Sequence, residues 1–74
     1  MIIVNCALKQ NDVIKVVEDI EVDNDKPFKY VKKQGLKLFF ESKLEDTEKA
    51  CSVIKKSIRD TSFGNSLYFS VTPQ

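Results

Sequence analysis

The side chains that could carry out chemistry in this sequence are two cysteines, an acidic segment and many lysines, because the chain contains no histidine. Histidine is the most frequent general base and metal ligand in proteins. Proton transfer near neutral pH would therefore need a carboxylate, a cysteine or a lysine with a strongly shifted pKa. We expect a protein that is not an enzyme and that uses no cofactor.

The two cysteines, Cys6 and Cys51, lie far apart in the sequence and lack the Cys-x-x-Cys spacing of redox pairs and metal carriers. Two cysteines are also too few for a disulfide-dependent small domain. We expect two free thiols that pack in the core, where oxidation could link them only if they meet.

The acidic segment, residues 21–25, superficially resembles a calcium-binding loop because it carries Glu21, Asp23 and Asp25. It lacks the glycine at the bend and the distal bidentate glutamate that such loops require. Its short polar side chains favour a turn instead. We therefore predict a solvated turn and no metal site.

The first half of the chain predicts a strand followed by a short helix. Residues 2–8 are rich in β-branched side chains, and their alternation places Ile2, Val4, Cys6 and Leu8 on one side and Ile3, Asn5 and Ala7 on the other. Asn11 is a candidate N-cap for a helix whose apolar residues are Val13, Val16, Val17 and Ile20. The many β-branched residues at 13–20 leave a second strand as an alternative.

A hairpin is predicted next, because Pro27 disfavours helix before it and Gly35 can supply the positive φ of a short turn. Extended structure should begin near Phe28. The partner strand, residues 36–41, should turn three side chains to the core and place Phe39 on the opposite face; the three core residues are Leu36, Leu38 and Phe40.

A second helix and a last strand complete the chain. Ser42 with Glu45 matches a capping box, and Asp46 is an alternative N-cap. The apolar stripe of the helix is Thr47, Ala50, Cys51, Ile54 and Ile58. Residues 67–71 alternate as a strand, with Tyr68 and Ser70 pointing outward and Leu67, Phe69 and Val71 pointing inward.

The predicted element order is β-α-β-β-α-β, over a single domain of residues 1–74. This order indicates an α+β, ferredoxin-like split β-α-β fold, with a four-stranded antiparallel sheet and two helices on one of its faces. Regulators, metal carriers, RNA-binding modules and enzymes share this layout, so the fold alone does not assign a function.

Charge and hydropathy further restrict the expected location and partners of the protein. No stretch is long and apolar enough to span a membrane, and the apolar residues at 1–8 lack the basic flank of a signal peptide, so we expect a soluble, cytoplasmic protein. Residues 9–25 carry two lysines against six acidic residues, whereas residues 26–43 carry six lysines against one glutamate. Such polarity can steer a charged partner or a second copy of the chain.

The candidate functional surface is the open face of the sheet, which is apolar in its predicted composition. We expect its contact residues to be Ile3, Val31, Phe39, Tyr68 and Ser70. Exposed apolar patches usually mark interaction sites. The leading hypothesis is therefore a protein-binding domain whose partner is a second copy, held by contact between the two open faces, with no small-molecule ligand.

Two alternatives use the basic hairpin, which carries Lys29, Lys32, Lys33 and Lys37. In the first, Phe39 and Tyr68 stack on the bases of single-stranded RNA while lysines neutralise phosphates, although no RNA-recognition signature is present. In the second, the domain is an inhibitor or adaptor that binds one protein through this hairpin, or a basic protein through residues 18–25.

Overall fold

The computed structural model describes all 74 residues and contains four strands and two helices. The predicted order β-α-β-β-α-β is confirmed. The elements are β1 (Ile2–Cys6), α1 (Gln10–Glu18), β2 (Phe28–Gln34), β3 (Lys37–Ser42), α2 (Thr47–Arg59) and β4 (Phe69–Pro73).

The four strands form one open sheet in the order β2-β3-β1-β4, and each strand is antiparallel to its neighbours. This order and the two helices confirm the α+β, ferredoxin-like prediction. The strands β2 and β4 lie at the two edges of the sheet.

The core lies between the helices and one face of the sheet, where 12 buried residues form a single cluster. Side chains of β1 and β3 point into it at every second position, as the period of a strand requires. The helices supply the other side of the cluster through Val13, Val17, Ala50, Ile54 and Ile58. The opposite face of the sheet carries no helix, and we call it the open face.

The second element is a helix, so the strand alternative for residues 13–20 is wrong. Val13 and Val17 are completely buried on one side of α1. The predicted N-cap is also wrong, because α1 begins at Gln10 and follows Lys9, whose φ is 59°. The Gln10 amide is used elsewhere: its Nε2 donates to the Cys6 oxygen at 2.9 Å and to the Gly35 oxygen at 3.0 Å. These two bonds tie the start of the helix to the sheet.

The second helix begins after Asp46, whose Oδ1 accepts a hydrogen bond from the Lys49 N–H at 3.1 Å. This confirms the alternative N-cap and corrects the capping box. Ser42 Oγ instead accepts from the Leu44 N–H, inside the preceding loop. Within the predicted apolar stripe only Thr47 is exposed, since it occupies the first turn of α2.

Two predicted core residues are exposed because the strands are shorter than expected. β1 ends at Cys6, and Leu8 is 71% exposed beyond it. Leu36 is 58% exposed because it sits with Gly35 in the two-residue loop of the hairpin. Gly35 has a φ of +58°, as predicted for this turn. β4 also begins later than predicted, at Phe69, so that Leu67 and Tyr68 precede it.

None of the helices is long and apolar enough to cross a membrane.

Candidate interaction surface

A bulge in β2 changes which lysines lie on the open face. Tyr30 pairs with Phe40 and Lys32 pairs with Phe39, so Val31 is an extra residue in the strand. A bulge of one residue moves every later side chain to the other face. Lys32 therefore lies on the open face, and Lys33, which pairs with Leu38, does not. Strict alternation along β2 would instead place Lys29 and Lys33 on the same face.

Phe39 lies on the open face as predicted, but its ring is covered by its own chain. The side chain of Lys32 crosses it, with Nζ at 5.0 Å from the ring centroid, which is a cation–π contact. Ile3 is the neighbour of Phe39 on the other side and is half-buried. As a result only 6% of Phe39 is exposed. The centre of the open face thus presents lysine rather than aromatic surface.

The other predicted contact residues lie at opposite edges of the sheet. Val31 is 41% exposed on the β2 edge, where the bulge turns it outward. Tyr68 is 97% exposed immediately before β4. Ser70 is exposed in β4, and its Oγ accepts a hydrogen bond from Asn5 Nδ2 at 3.3 Å. Tyr68 and Ser70 therefore lie together at the β4 edge of the sheet, whereas Val31 lies at the opposite edge.

One further exposed apolar side chain, Leu36, lies near Tyr68. Leu36 and Tyr68 line a cleft of about 270 Å³ with Asn5, Cys6, Ala7 and Ser70. Thr72 continues the same side of β4, since it pairs with Ile3 on the open face. We call Leu36, Tyr68, Ser70 and Thr72 the uncharged margin of the sheet. The sequence prediction missed Leu36 because it assigned a turn residue to the core.

A second signal at this margin was readable in the sequence. All 12 lysines and arginines and all 11 acidic residues lie within residues 1–60, so residues 61–74 carry no charged side chain. The rest of the surface is densely charged by comparison. A charge-free segment that holds an edge strand and a fully exposed tyrosine is typical of a surface that makes contact with another protein.

The basic side of the open face carries Lys29, Lys32 and Lys37, with Glu41 opposite Lys29. A shallow cleft beside it is lined by Lys26, Lys29, Lys43 and Glu41 among others. Lys26 and Lys43 already have acidic partners, Asp19 at 3.7 Å and Asp25 at 3.6 Å. These exposed pairs leave no concentrated positive site there.

The two thiols are free, as predicted, with Cys6 buried and Cys51 half-buried. Burial raises the pKa of the Cys6 thiol. Burial also raises the pKa of Cys51, and the negative charge of Glu48 raises it further. Both side chains are therefore protonated at neutral pH, a form that is a poor nucleophile.

The acidic segment forms a tight turn closed by its own backbone. Val22 and Asp25 exchange two hydrogen bonds, at 2.8 and 3.0 Å. Asp23 and Asn24 have φ values of 52° and 65°, which is the pattern of a type I′ turn. The turn prediction is confirmed. The structure holds no group of three or more side chains placed to bind a metal ion.

Comparisons of the chain with protein-family models, curated proteins and solved structures find no match.

Proposed function

We propose that this domain acts by protein–protein contact rather than by catalysis, and that its partner is a second copy bound through the uncharged margin. The observation that carries the proposal is Tyr68, which is 97% exposed within the segment of residues 61–74 that has no charged side chain. An aromatic side chain contributes a large area of apolar contact when a partner covers it. A cytoplasmic location belongs to the same proposal, since both cysteines are free.

The charge pattern supports a second copy as the partner. A two-fold dimer places the same surface on both sides of the contact. Face-to-face contact over the centre of the open face would bring Lys29, Lys32 and Lys37 into the interface without acidic partners in the same number. The uncharged margin meets itself without such repulsion. We therefore shift the expected contact from the centre of the open face to its β4 side.

The size of the core supports association as well. The chain has 74 residues, and only 15 of them are buried. Domains this small bury about 60% of the surface that the unfolded chain exposes, so their stability is low. Binding of a second copy to the folded form alone would add stability by mass action.

The nucleic-acid alternative has less support from the geometry. A stacking platform needs exposed aromatic faces. The ring of Phe39 lies under Lys32, which leaves Tyr68 as the one predicted stacking residue with a free ring. The inhibitor or adaptor alternative places a different protein on the basic hairpin, or a basic protein on residues 18–25.

The proposal is tested by measuring mass with size exclusion and light scattering over a range of protein concentrations, at low and high salt. We expect a dimer that persists in high salt and shows no excess absorbance at 260 nm. Tyr68→Asp should yield a monomer with an unchanged circular dichroism spectrum, because the carboxylate is solvated in the monomer and desolvated in the dimer. Val31→Asp, on the other edge, is the matched control and should remain a dimer.

A wild-type protein that is monomeric at every concentration would contradict the proposal. So would a dimer that survives Tyr68→Asp and is lost with Val31→Asp. A 260 nm excess that disappears at high salt would instead favour the nucleic-acid alternative, because phosphate contacts weaken with salt.

A further inference from the structure

We infer that the free edge of β4 pairs with β4 of a second copy, antiparallel across a two-fold axis, so that two four-stranded sheets become one continuous sheet. This inference rests on the proposed function, because it specifies how the second copy binds. In this arrangement the backbone groups of β4 make the contact. The side chains of the uncharged margin only mark where on the molecule it lies.

The direction of the backbone groups of β4 follows from its pairing with β1. Gln74 N–H donates to the Met1 oxygen at 2.9 Å, and Ile3 and Asn5 pair with Thr72 and Ser70. In an antiparallel ladder the bonded pairs alternate with pairs whose N–H and C=O groups point away. The groups of Ser70 and Thr72 therefore face β1. Those of Phe69, Val71 and Pro73 face outward, where the sheet has no further strand.

The other edge of the sheet is protected in three ways. The outward N–H of Tyr30 donates to the carboxylate of Glu18, from the end of α1, at 3.3 Å. The bulge at Val31 interrupts the strand, and Lys29 and Lys33 add positive charge. Bulges, lysines and covering groups are the devices by which proteins prevent pairing at an edge.

The β4 edge lacks charge and lacks a bulge along its length. Its five residues pair with β1 in uninterrupted register, and none of them is charged. Pro73 is its one protective residue, and it removes a donor at the end of the strand only. The two edges differ in the way expected if β2 must remain solvated and β4 must pair.

A register centred on Val71 accommodates the proline at the end of the strand. With Val71 on the two-fold axis, each Val71 N–H donates to the carbonyl of Val71 of the partner subunit. Phe69 then lies opposite Pro73 of the partner subunit, so its N–H has an acceptor and the missing proline donor costs no bond in the centre. Tyr68 lies next to the final residues of the partner strand. This register uses every outward N–H between residues 69 and 73.

The side chains fit the same register on the open face. Ser70 lies opposite Thr72 of the partner subunit, and hydroxyl pairs of this kind are favourable across antiparallel strands. No charged side chain of either β4 strand faces its counterpart. A second copy is therefore a suitable occupant, and an extended segment of another protein would have to supply the same backbone groups.

The first test removes one outward donor with Val71→Pro. In the monomer this N–H makes no ladder bond, so the fold should persist with a similar circular dichroism spectrum, at a lower stability because the half-buried Val71 side chain packs against the core. In the dimer two hydrogen bonds at the axis are lost, which should raise the dissociation constant about tenfold or more. Lys33→Pro is the matched control, since Lys33 also faces outward, on the β2 edge. It should leave the dissociation constant unchanged.

The second test does not depend on a proline. Ser70→Lys with Thr72→Lys places lysines opposite lysines in the inferred register, and Ser70→Glu with Thr72→Glu places carboxylates opposite carboxylates. Each double variant should be monomeric at low salt because of like-charge repulsion. An equimolar mixture of the two should form a heterodimer, which native mass spectrometry identifies by its mass.

The outcomes separate this inference from the proposed function. A dimer that loses affinity with Val71→Pro and forms in the Lys and Glu mixture supports edge pairing. A dimer that is sensitive to Tyr68→Asp but indifferent to Val71→Pro and to the double variants overturns edge pairing and leaves the proposed function standing. A wild-type protein that is monomeric at all concentrations overturns both.

Discussion

The contact between Lys32 and Phe39 decides what the open face can bind. Phe39 sits on the predicted face, yet Lys32 covers its ring, and the exposed aromatic side chain of this region is Tyr68. Substituting Phe39 by aspartate would place a carboxylate in a buried position and destabilise the monomer itself. Tyr68→Asp is therefore the informative substitution at this surface, because it changes a side chain that the monomer leaves in water.

Gly64 is the residue for which the structure makes the sharpest stability prediction. A Cβ at this position would overlap the Ile58 carbonyl oxygen and approach the Arg59 Cα to 2.7 Å, and both are backbone atoms at the end of α2. The Ile58 oxygen is also held by Thr61 Oγ1 at 2.6 Å. We expect Gly64→Ala to lower the free energy of unfolding by about 1–3 kcal/mol.

Denaturant unfolding measures this effect, and Ser62→Ala is its control. Ser62 is exposed in the same turn, so its substitution should change the free energy of unfolding by less than about 0.5 kcal/mol. Equal stability of Gly64→Ala and the wild type would mean that the turn does not pack against α2 as described.

The start of α2 offers a test at the scale of one element, because the sequence contains two candidate N-caps and the structure uses one. Asp46 accepts a hydrogen bond from the Lys49 N–H, and we expect Asp46→Ala to lower the free energy of unfolding by about 1 kcal/mol. Asp46→Asn should retain most of the stability, since asparagine is an equally good cap. Glu45→Ala, which removes the unused capping-box partner, should have little effect in thermal or denaturant unfolding. If Glu45→Ala lowered the free energy of unfolding more than Asp46→Ala, the assigned cap would be contradicted.

The elements could be predicted from the sequence where a periodic pattern and a turn signal coincide. The apolar spacing of α2 and the glycine of the hairpin gave the correct element order and the correct fold. The bulge at Val31 could not be predicted, because a lysine-rich edge strand tolerates either register and no glycine marks the extra residue. The predicted ends of β1 at Leu8 and of β3 at Leu36 are wrong for a related reason. Each leucine continues an apolar alternation beyond the paired residues of its strand.

At the scale of the whole molecule, the layout gives one charged edge and one uncharged edge of the same sheet. The acidic and basic segments and both helices fall within residues 1–60, and the last strand closes the sheet without a charge. The candidate surface is therefore only partly predictable from the sequence: alternation places Tyr68 and Ser70 on one face, whereas the lack of charge is a property of the whole segment 61–74. A ferredoxin-like fold does not itself supply a function, so the asymmetry of the edges is the feature that distinguishes this chain.

If two copies associate through folded β4 edges, folding and assembly are linked, and thermal stability must depend on protein concentration. A dimer that dissociates on unfolding should show a melting temperature that rises by about 5 °C or more over a hundredfold increase in concentration. Tyr68→Asp should melt at one temperature throughout, equal to that of the dilute wild type, because only the associated form is affected. Calorimetry at several concentrations measures both. A wild-type melting temperature that does not change with concentration would mean that the charge-free edge stays unpaired, and that the core of the monomer alone sets the stability.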